Sequence, residues 1–138
     1  MEEARRNVIY LSFQEVVEKN RIIILESGGF VDGAGISVNL NSLKYVIDVV
    51  KSKLEEKEIC PSLAQKAALY AFHIITRHIF LDGNKRTGMS CALYFLRLNG
   101  CYISDSINDN DIVELALKIA NNEIDYPNVV EWFQKAIK

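Results

Sequence analysis

The sequence predicts an all-α domain, a compact bundle of five to six helices with at most a small β flap. Apolar residues recur at intervals of three and four through most of the chain, the spacing of helices that bury one face. Residues typical of helix starts and stops stand at the borders of these segments. Only two short stretches have the composition of extended chain. We expect one domain over residues 1–138, because a chain of this length buries about two thirds of its unfolded surface.

The first helix is predicted within the segment SFQEVVEKNRIIILESGG. Ser12 and Glu15 have the spacing of a capping box, in which two side chains satisfy the first backbone N–H groups. Gly28 and Gly29 supply a stop, since glycine adopts the left-handed conformation at helix ends. The stretch that follows, FVDGAGISVNL at residues 30–40, mixes glycines with β-branched residues and is predicted to be a loop or short hairpin.

The second helix is predicted within NSLKYVIDVVKSKLEEK, residues 41–57. Its lysines and glutamates fall mainly on the side opposite the apolar residues, as in an amphipathic helix. The apolar positions at helical spacing are Leu43, Val46, Ile47, Val50 and Leu54.

A third helix, predicted to start near Pro61, carries a largely buried face. Apolar or small residues recur along it at positions 64, 67, 68, 71, 74, 75 and 78, so the face ends at His78. The segment NKRTGMSCALYFLRLNG predicts a fourth helix that stops at Gly100. The LDG break between the two helices is therefore an interhelical turn.

The last part of the chain predicts two more helices. CYISDS, residues 101–106, is expected to be a brief extended connector. Asn108 or Asp109 then caps a fifth helix. A short final helix is built around Val129, Val130, Trp132 and Phe133.

Composition excludes several classes of protein. The net charge of -2 gives no electrostatic footprint for nucleic acid, so no direct nucleic-acid binding is expected. No run of about 18 apolar residues is present, so no membrane span is expected. Cys60, Cys91 and Cys101 are odd in number and form no CxxC pair, which is typical of free structural thiols in a reducing cytosol. We expect a cytoplasmic protein.

The turn HIFLDGNKRTG holds the chemistry of the chain. A helix beginning near Asn84 has unpaired N–H groups and the positive end of its dipole there, and Gly83 lets a ligand approach the backbone. Lys85 and Arg86 are locally unfavourable with that dipole. A bound anion, phosphate above all, would relieve the conflict.

Two further residues extend this anion site to a metal-nucleotide site. Asp82 can hold Mg²⁺, which binds through one or two carboxylates together with substrate phosphates. His78 suits a general base, because imidazole ordinarily titrates near neutral pH. His73 lies five residues before His78, about 140° around a helix, and is interpreted as structural.

Each of these features also has an ordinary explanation. A histidine on an apolar face is often a hydrogen-bonded core residue, a turn such as LDGN is common in loops, and adjacent cations are usually solvated. Their concentration in one turn between two buried helices favours a functional site.

The turn resembles the signature of the Fic/Doc family, H-x-F-x-[DE]-[GA]-N-[GK]-R, which stands here at residues 78–86. The resemblance implies a Fic/Doc-like helical fold with ATP as substrate and Mg²⁺. It further implies that His78 is a base toward a target hydroxyl, that Phe80 is a buried anchor and that Asp82 is the metal ligand. The implied nucleotide-binding wall consists of Gly83, Asn84, Lys85, Arg86 and Thr87.

Lys85 separates the two branches of the family. Fic adenylyltransferases carry glycine at this position, whereas the Doc branch carries lysine, binds ATP in the opposite orientation and phosphorylates a threonine of elongation factor Tu. The resemblance therefore implies a Doc-like toxin of a toxin–antitoxin system that acts on a Ser/Thr hydroxyl. Two positions depart from the Doc branch: Gly83 replaces its typical alanine, and Ile79 replaces a proline often found after the histidine.

Two alternatives stay open beside the kinase. One is a Fic-type adenylyltransferase (AMPylation) that uses the same His78 and Asp82. The other is a catalytically silent module that binds nucleotide or an antitoxin. Family members that restrain themselves carry [ST]-x-x-x-E-[GN]; the nearest match, Ser52 to Glu56, is followed by Lys57. A separate antitoxin is therefore expected, and residues 30–38 are the candidate flap for an extended target segment.

Overall fold

The computed structural model describes residues 7–27, 39–54 and 57–138. Within that part the predicted all-α class is confirmed, with six helices and one short hairpin. None of these helices is long and apolar enough to cross a membrane. The elements are α1 (Phe13–Ser27), α2 (Leu40–Val50), β1 (Lys53–Leu54), β2 (Lys57–Glu58), α3 (Leu63–Thr76), α4 (Asn84–Leu98), α5 (Asp109–Ala120) and α6 (Tyr126–Ala136).

Helix α3 is the centre of the bundle. Nine of its residues are buried, which makes it apolar on nearly every side. α4 packs along it most extensively, α2, α5 and α6 also contact it, and α1 lies mainly against α4. The polypeptide between α3 and α4 is consequently held at one end of a tightly packed antiparallel pair.

Gly88 sets how closely α3 and α4 approach. A Cβ atom at this position would lie 2.7 Å from Ile75 Cγ1 and 3.1 Å from the carbonyl oxygen of Ala71. Both distances are shorter than ordinary van der Waals contact, and the second involves backbone that cannot rotate away. Only glycine at position 88 allows the observed distance between the two helices.

Local capping signals place most helix starts correctly. The predicted capping box of α1 is confirmed, since Ser12 N–H donates to Glu15 Oε1 at 2.8 Å and Glu15 N–H donates to Ser12 Oγ at 3.1 Å. Asn108, one of the two predicted candidates, caps α5. Pro61 was wrongly placed in the first turn of α3, because the Ser62 hydroxyl accepts the Gln65 N–H and so makes Ser62 the N-cap.

The predicted extent of the second helix is wrong. α2 ends at Val50, and Lys53–Leu54 pairs with Lys57–Glu58 as two short antiparallel strands, with Lys53 opposite Glu58. The cause lies on α3: the ammonium of Lys66 donates to the carbonyl oxygen of Val50 at 2.7 Å and pairs with Glu58 at 3.2 Å. Because Lys66 is fully buried, its charge needs both partners, and they fix the chain in the hairpin.

The two stretches predicted to be extended have different outcomes. Residues 101–106 do form a connector, in which Ile103 makes an antiparallel bridge to Ile137 after α6. The loop or short hairpin predicted at residues 30–40 lies outside the described residues except for Asn39, which caps α2, and Leu40, which begins it. The candidate flap, residues 30–38, lies wholly outside them. Cys60, Cys91 and Cys101 are all free thiols.

We expect Gly88→Ala to lower the free energy of unfolding by about 1–3 kcal/mol, the usual cost of overpacking a filled core. The better helix propensity of alanine offsets only part of the clash with Ile75 and Ala71. Urea denaturation followed by circular dichroism measures the difference.

An Ile75→Ala background provides the control, because it removes the Cγ1 atom that the new methyl group would meet. In that background Gly88→Ala should cost less than in the wild type. Equal penalties in the two backgrounds would show that the distance between α3 and α4 does not depend on Gly88.

Candidate active site

His78 lies in the turn after α3 and is exposed to solvent. The sequence placed it at the end of the buried face, and that placement is wrong because α3 ends at Thr76. His78 instead adopts a left-handed conformation with φ 49°, which costs a non-glycine residue roughly 1–2 kcal/mol. The reversal turns the imidazole outward. The angle of about 140° to His73 does not apply, since the helix does not reach His78.

Ile79 and Phe80, directly after His78, hold the turn on the core. Their exposed fractions are 1% and 4%, so the two side chains anchor the segment by burial. The carbonyl oxygen of Ile79 also accepts the N–H of Asn39 at 2.7 Å. The chain just before α2 is thereby joined to the turn.

Asn84 closes the turn through its side chain. Its Oδ1 accepts the N–H of Phe80 at 2.9 Å, and its Nδ2 donates to the carbonyl oxygen of Phe80 at 2.8 Å. Residues 80 and 84 are thus linked by two parallel hydrogen bonds that imitate a strand pair. The carboxamide of Asn84 therefore acts on the backbone, and its own N–H group is what it presents at the start of α4.

Gly83 is required by the backbone and by its neighbours on α1. Its φ of 77° is left-handed, a region that glycine enters without strain. A Cβ atom there would lie 2.9 Å from Ile24 Cδ1 and 3.2 Å from Asn20 Nδ2. The N–H of Gly83 donates to Asp82 Oδ1 at 2.8 Å, on the exposed side of the turn.

The N-terminus of α4 has no side-chain cap. Gly83 is its N-cap residue and offers no acceptor atom for the first-turn N–H groups. Lys85 and Arg86 in that turn are exposed, and neither makes an ion pair or side-chain hydrogen bond within residues 7–27, 39–54 and 57–138. Two cations beside the positive end of the helix dipole are stabilised by an anion.

Thr87 was predicted to contact the nucleotide, but its side chain is fully buried. The hydroxyl accepts a hydrogen bond from Asn20 Nδ2 at 3.1 Å, and the same Nδ2 donates to the carbonyl oxygen of Asp82 at 2.8 Å. The structure therefore does not bring Thr87 together with the exposed cations. Asn20 was missed from sequence, although a polar residue between Val16 and Ile24, at the same helical spacing, was a signal for it.

The position of Asp82 suits a ligand of Mg²⁺. Its carboxylate is exposed at the turn, beside the start of α4. The described residues contain no group of three or more His, Cys, Asp or Glu side chains that could enclose a metal. A single carboxylate is nevertheless sufficient for Mg²⁺ when phosphates and water supply its other ligands.

His73 supports the residue that precedes His78. Its Nδ1 accepts the Nε–H of Arg77 at 3.2 Å, and the Arg77 guanidinium lies 4.1 Å from the centre of the Tyr45 ring. Burial, and then the charge of Arg77, lower the pKa of His73 from 6.5 to about 4. His73 is therefore neutral at physiological pH and keeps Arg77 in place.

Comparison with known proteins finds matches for most of the chain. The model of the Fic/DOC family matches residues 10–96, which contain α1, α2, α3 and most of α4. A curated protein of Escherichia phage P1, named "Protein kinase doc", is 32% identical over 90 residues, which are 65% of this chain and 68% of that protein. The residues that the family model matches include the whole turn with its exposed charges.

Acidification should destabilise the fold through His73. The unfolded chain binds a proton near the ordinary pKa of 6.5 and the folded chain only near 4, so stability falls as the pH drops through that range. Protonation of His73 would also make its Nδ1 a donor that faces the Nε–H of Arg77, and would set two positive charges beside each other. Urea denaturation at pH 7 and pH 5 measures the loss.

His73→Phe, which cannot bind a proton, should lose less stability between these pH values than the wild type. If His73→Phe and the wild type lose the same stability between pH 7 and pH 5, the fold does not lower the pKa of His73.

Proposed function

The chain belongs to the Fic/Doc family, and from that premise we propose that it is a Doc-like toxin that phosphorylates a protein. Its substrate is ATP, the transferred group is the γ-phosphoryl, and the acceptor is a Ser/Thr hydroxyl. Elongation factor Tu is the target that the family resemblance favours. The relative from phage P1 supports the kinase assignment by its name.

Lys85 is the observation that carries this proposal. It stands in the first turn of α4, next to Arg86, where its side chain is exposed and the helix has no side-chain cap. A lysine there occupies space that glycine leaves open to the α- and β-phosphates in the adenylyltransferase branch. The ammonium instead supports negative charge on the phosphoryl group being transferred.

His78 is the base in the proposed reaction. The hydroxyl oxygen of the target forms a bond to the γ-phosphorus, and the hydroxyl proton passes to the His78 imidazole. The bond between the γ-phosphorus and the β–γ bridging oxygen breaks, and ADP leaves with that electron pair. The exposure of His78 suits this role, because a macromolecular acceptor must reach the imidazole from solvent.

The other exposed groups of the turn bind and neutralise the phosphates of the nucleotide. Lys85 and Arg86 contribute two cations, and the N–H groups of the first turn of α4 contribute backbone donors. Asp82 would hold Mg²⁺, which when bound would supply positive charge to the nucleotide phosphates. Phosphoryl transfer depends mainly on such positioning and electrostatic stabilisation.

Adenylylation is the second candidate, and Gly83 is the observation that favours it. Glycine at this position matches the Fic branch, whereas the Doc branch typically has alanine. The left-handed φ of 77° and the closeness of Ile24 already require glycine here. Gly83 therefore carries little information on how ATP is oriented, and we base the choice between the two reactions on Lys85.

Restraint of the toxin is assigned to a separate antitoxin. The motif of self-restraining members is missing from the sequence, where Lys57 follows the nearest match. A small antitoxin that covers the exposed turn would block both the nucleotide and the target. We place both toxin and antitoxin in the cytoplasm, where ATP and elongation factor Tu are present.

Incubation with γ-labelled ATP, Mg²⁺ and bacterial elongation factor Tu should transfer the label to protein. His78→Ala should lower the rate by about 10²- to 10⁴-fold, the usual contribution of a general base. Arg97→Ala, an exposed cation near the far end of α4, is the control and should transfer normally.

Parallel reactions with α-labelled ATP separate the alternatives. Label from the α position on the target would contradict phosphorylation and favour adenylylation. An unmodified proteome together with harmless expression of both wild type and His78→Ala would identify the chain as a silent binding module.

Lys85→Gly should lower transfer of the γ-phosphoryl on the order of 100-fold, because it removes one of the cations that stabilise the transition state. Arg97→Gly in the same helix controls for the helix propensity lost with glycine. Under adenylylation the outcome is reversed, and Lys85→Gly retains or improves transfer of the α label.

A further inference from the structure

Asn20 is a buried polar residue whose side chain donates hydrogen bonds to the turn and to the first part of α4. It lies on α1, 62 positions before Asp82, and its side chain is only 7% exposed. Its Nδ2 donates to the carbonyl oxygen of Asp82 at 2.8 Å and to Thr87 Oγ1 at 3.1 Å. Both donors of the amide nitrogen are thereby used, one on Asp82 next to Gly83 and one on Thr87, a helical turn after it.

The hydrogen bond to Asp82 fixes the orientation of one peptide group. The peptide joining Asp82 and Gly83 is planar and trans, so its C=O and N–H point in opposite directions. Asn20 holds the C=O toward α1 and the interior. The N–H of Gly83 must then point outward, where it donates to Asp82 Oδ1 at 2.8 Å.

We propose that Asn20 is a positioning residue of the active site, which sets the direction of the Gly83 N–H and of the Asp82 carboxylate. Without the bond from Asn20, this peptide is free to rotate, since Gly83 tolerates many backbone conformations. Rotation would break the hydrogen bond from the Gly83 N–H to Asp82 Oδ1, and this bond helps to orient the carboxylate. Asn20 itself touches no substrate.

α1 packs closely against the turn and also favours one orientation of the peptide that joins Asp82 and Gly83. Ile24, one helical turn after Asn20, lies against Gly83, and Val16, one turn before it, is fully buried. These apolar neighbours would pack equally well with the peptide in either orientation, because dispersion is not directional. The amide of Asn20 is what distinguishes the two orientations.

The kinetic part of the test rests on the proposed phosphoryl transfer. Asn20→Leu removes both hydrogen bonds at similar volume, and Asn20→Asp retains the shape but, when ionised, offers no donor to the Asp82 carbonyl. We expect both variants to lower kcat for γ-phosphoryl transfer on the order of 10- to 100-fold. The KM for ATP should change by less than about threefold, because the lost interactions matter chiefly in the transition state.

Val16→Ala is the matched control. It destabilises the same helix by removing buried apolar atoms, but Val16 is placed one turn away from the residues that contact Gly83. At a temperature where all variants are folded, Val16→Ala should retain the wild-type kcat. Equal losses of kcat in Val16→Ala and Asn20→Leu would overturn the proposal, because Asn20 would then act only through stability.

A second measurement does not depend on any enzymatic activity. In ¹⁵N-labelled protein the amide signal of Gly83 should shift, and exchange faster with water, in Asn20→Leu and Asn20→Asp. The signal of Gly100, which ends α4 at its other end, serves as the reference and should stay in place. An unmoved Gly83 signal in both variants would overturn the proposal.

The two measurements separate failure of the inference from failure of the proposed function. If the wild type transfers no phosphoryl group, the proposed function is wrong, and the Gly83 amide alone decides whether Asn20 orients the peptide. If transfer occurs and the Gly83 amide moves while kcat is unchanged, the orientation has no part in the reaction and the proposal fails.

Discussion

The close packing of α3 against α4 is the constraint on which the rest of the molecule depends. Gly88 brings the two helices so near that a single methyl group would meet both Ile75 and the backbone of α3. The chain between them must therefore reverse within residues 77–83. Left-handed residues stand near both ends of this reversal, His78 with φ 49° and Gly83 with φ 77°.

In this reversal the neutral polar side chains point inward and the ionisable ones point to solvent. Neutral amides and a hydroxyl point inward: Asn84 binds the backbone of Phe80, and Asn20 binds Thr87 and the carbonyl of Asp82. Ionisable side chains stay outside, because a buried charge costs far more than a buried amide that is hydrogen-bonded. Each inward bond fixes backbone from which an outward group projects. The exposed groups are His78, Asp82, Lys85 and Arg86.

The turn and the start of α4 are locally unstable, and a bound ligand would stabilise them. His78 bears a left-handed backbone, and α4 begins with two cations and no side-chain cap. α2, α3, α5 and α6, by contrast, all have a capping side chain. Violations of ordinary helix rules are expected at functional sites, where binding compensates for them. A nucleotide phosphate is the ligand that the exposed cations and N–H groups favour.

The family membership and the geometry constrain function to different degrees. Membership rests on residues 10–96 as a whole and explains why the helical scaffold and the turn occur together. Our proposal of phosphorylation over adenylylation rests on the single side chain of Lys85. Gly83, which differs from the Doc branch, is explained by its left-handed backbone and by Ile24 without reference to the nucleotide.

The sequence by itself determined the helical class, most helix borders and the position of the exposed charges. These features are local: a capping box such as Ser12 and Glu15 depends on residues three apart, and helical periodicity on residues three or four apart. Only the tertiary structure decided where α2 ends, because Lys66, which donates a hydrogen bond to the carbonyl oxygen of Val50, lies on α3. It likewise decided that His78 is exposed, that Thr87 is buried and that Asn20 belongs to the site. Each of those outcomes depends on a contact between segments far apart in the chain, whose pairing no local spacing specifies.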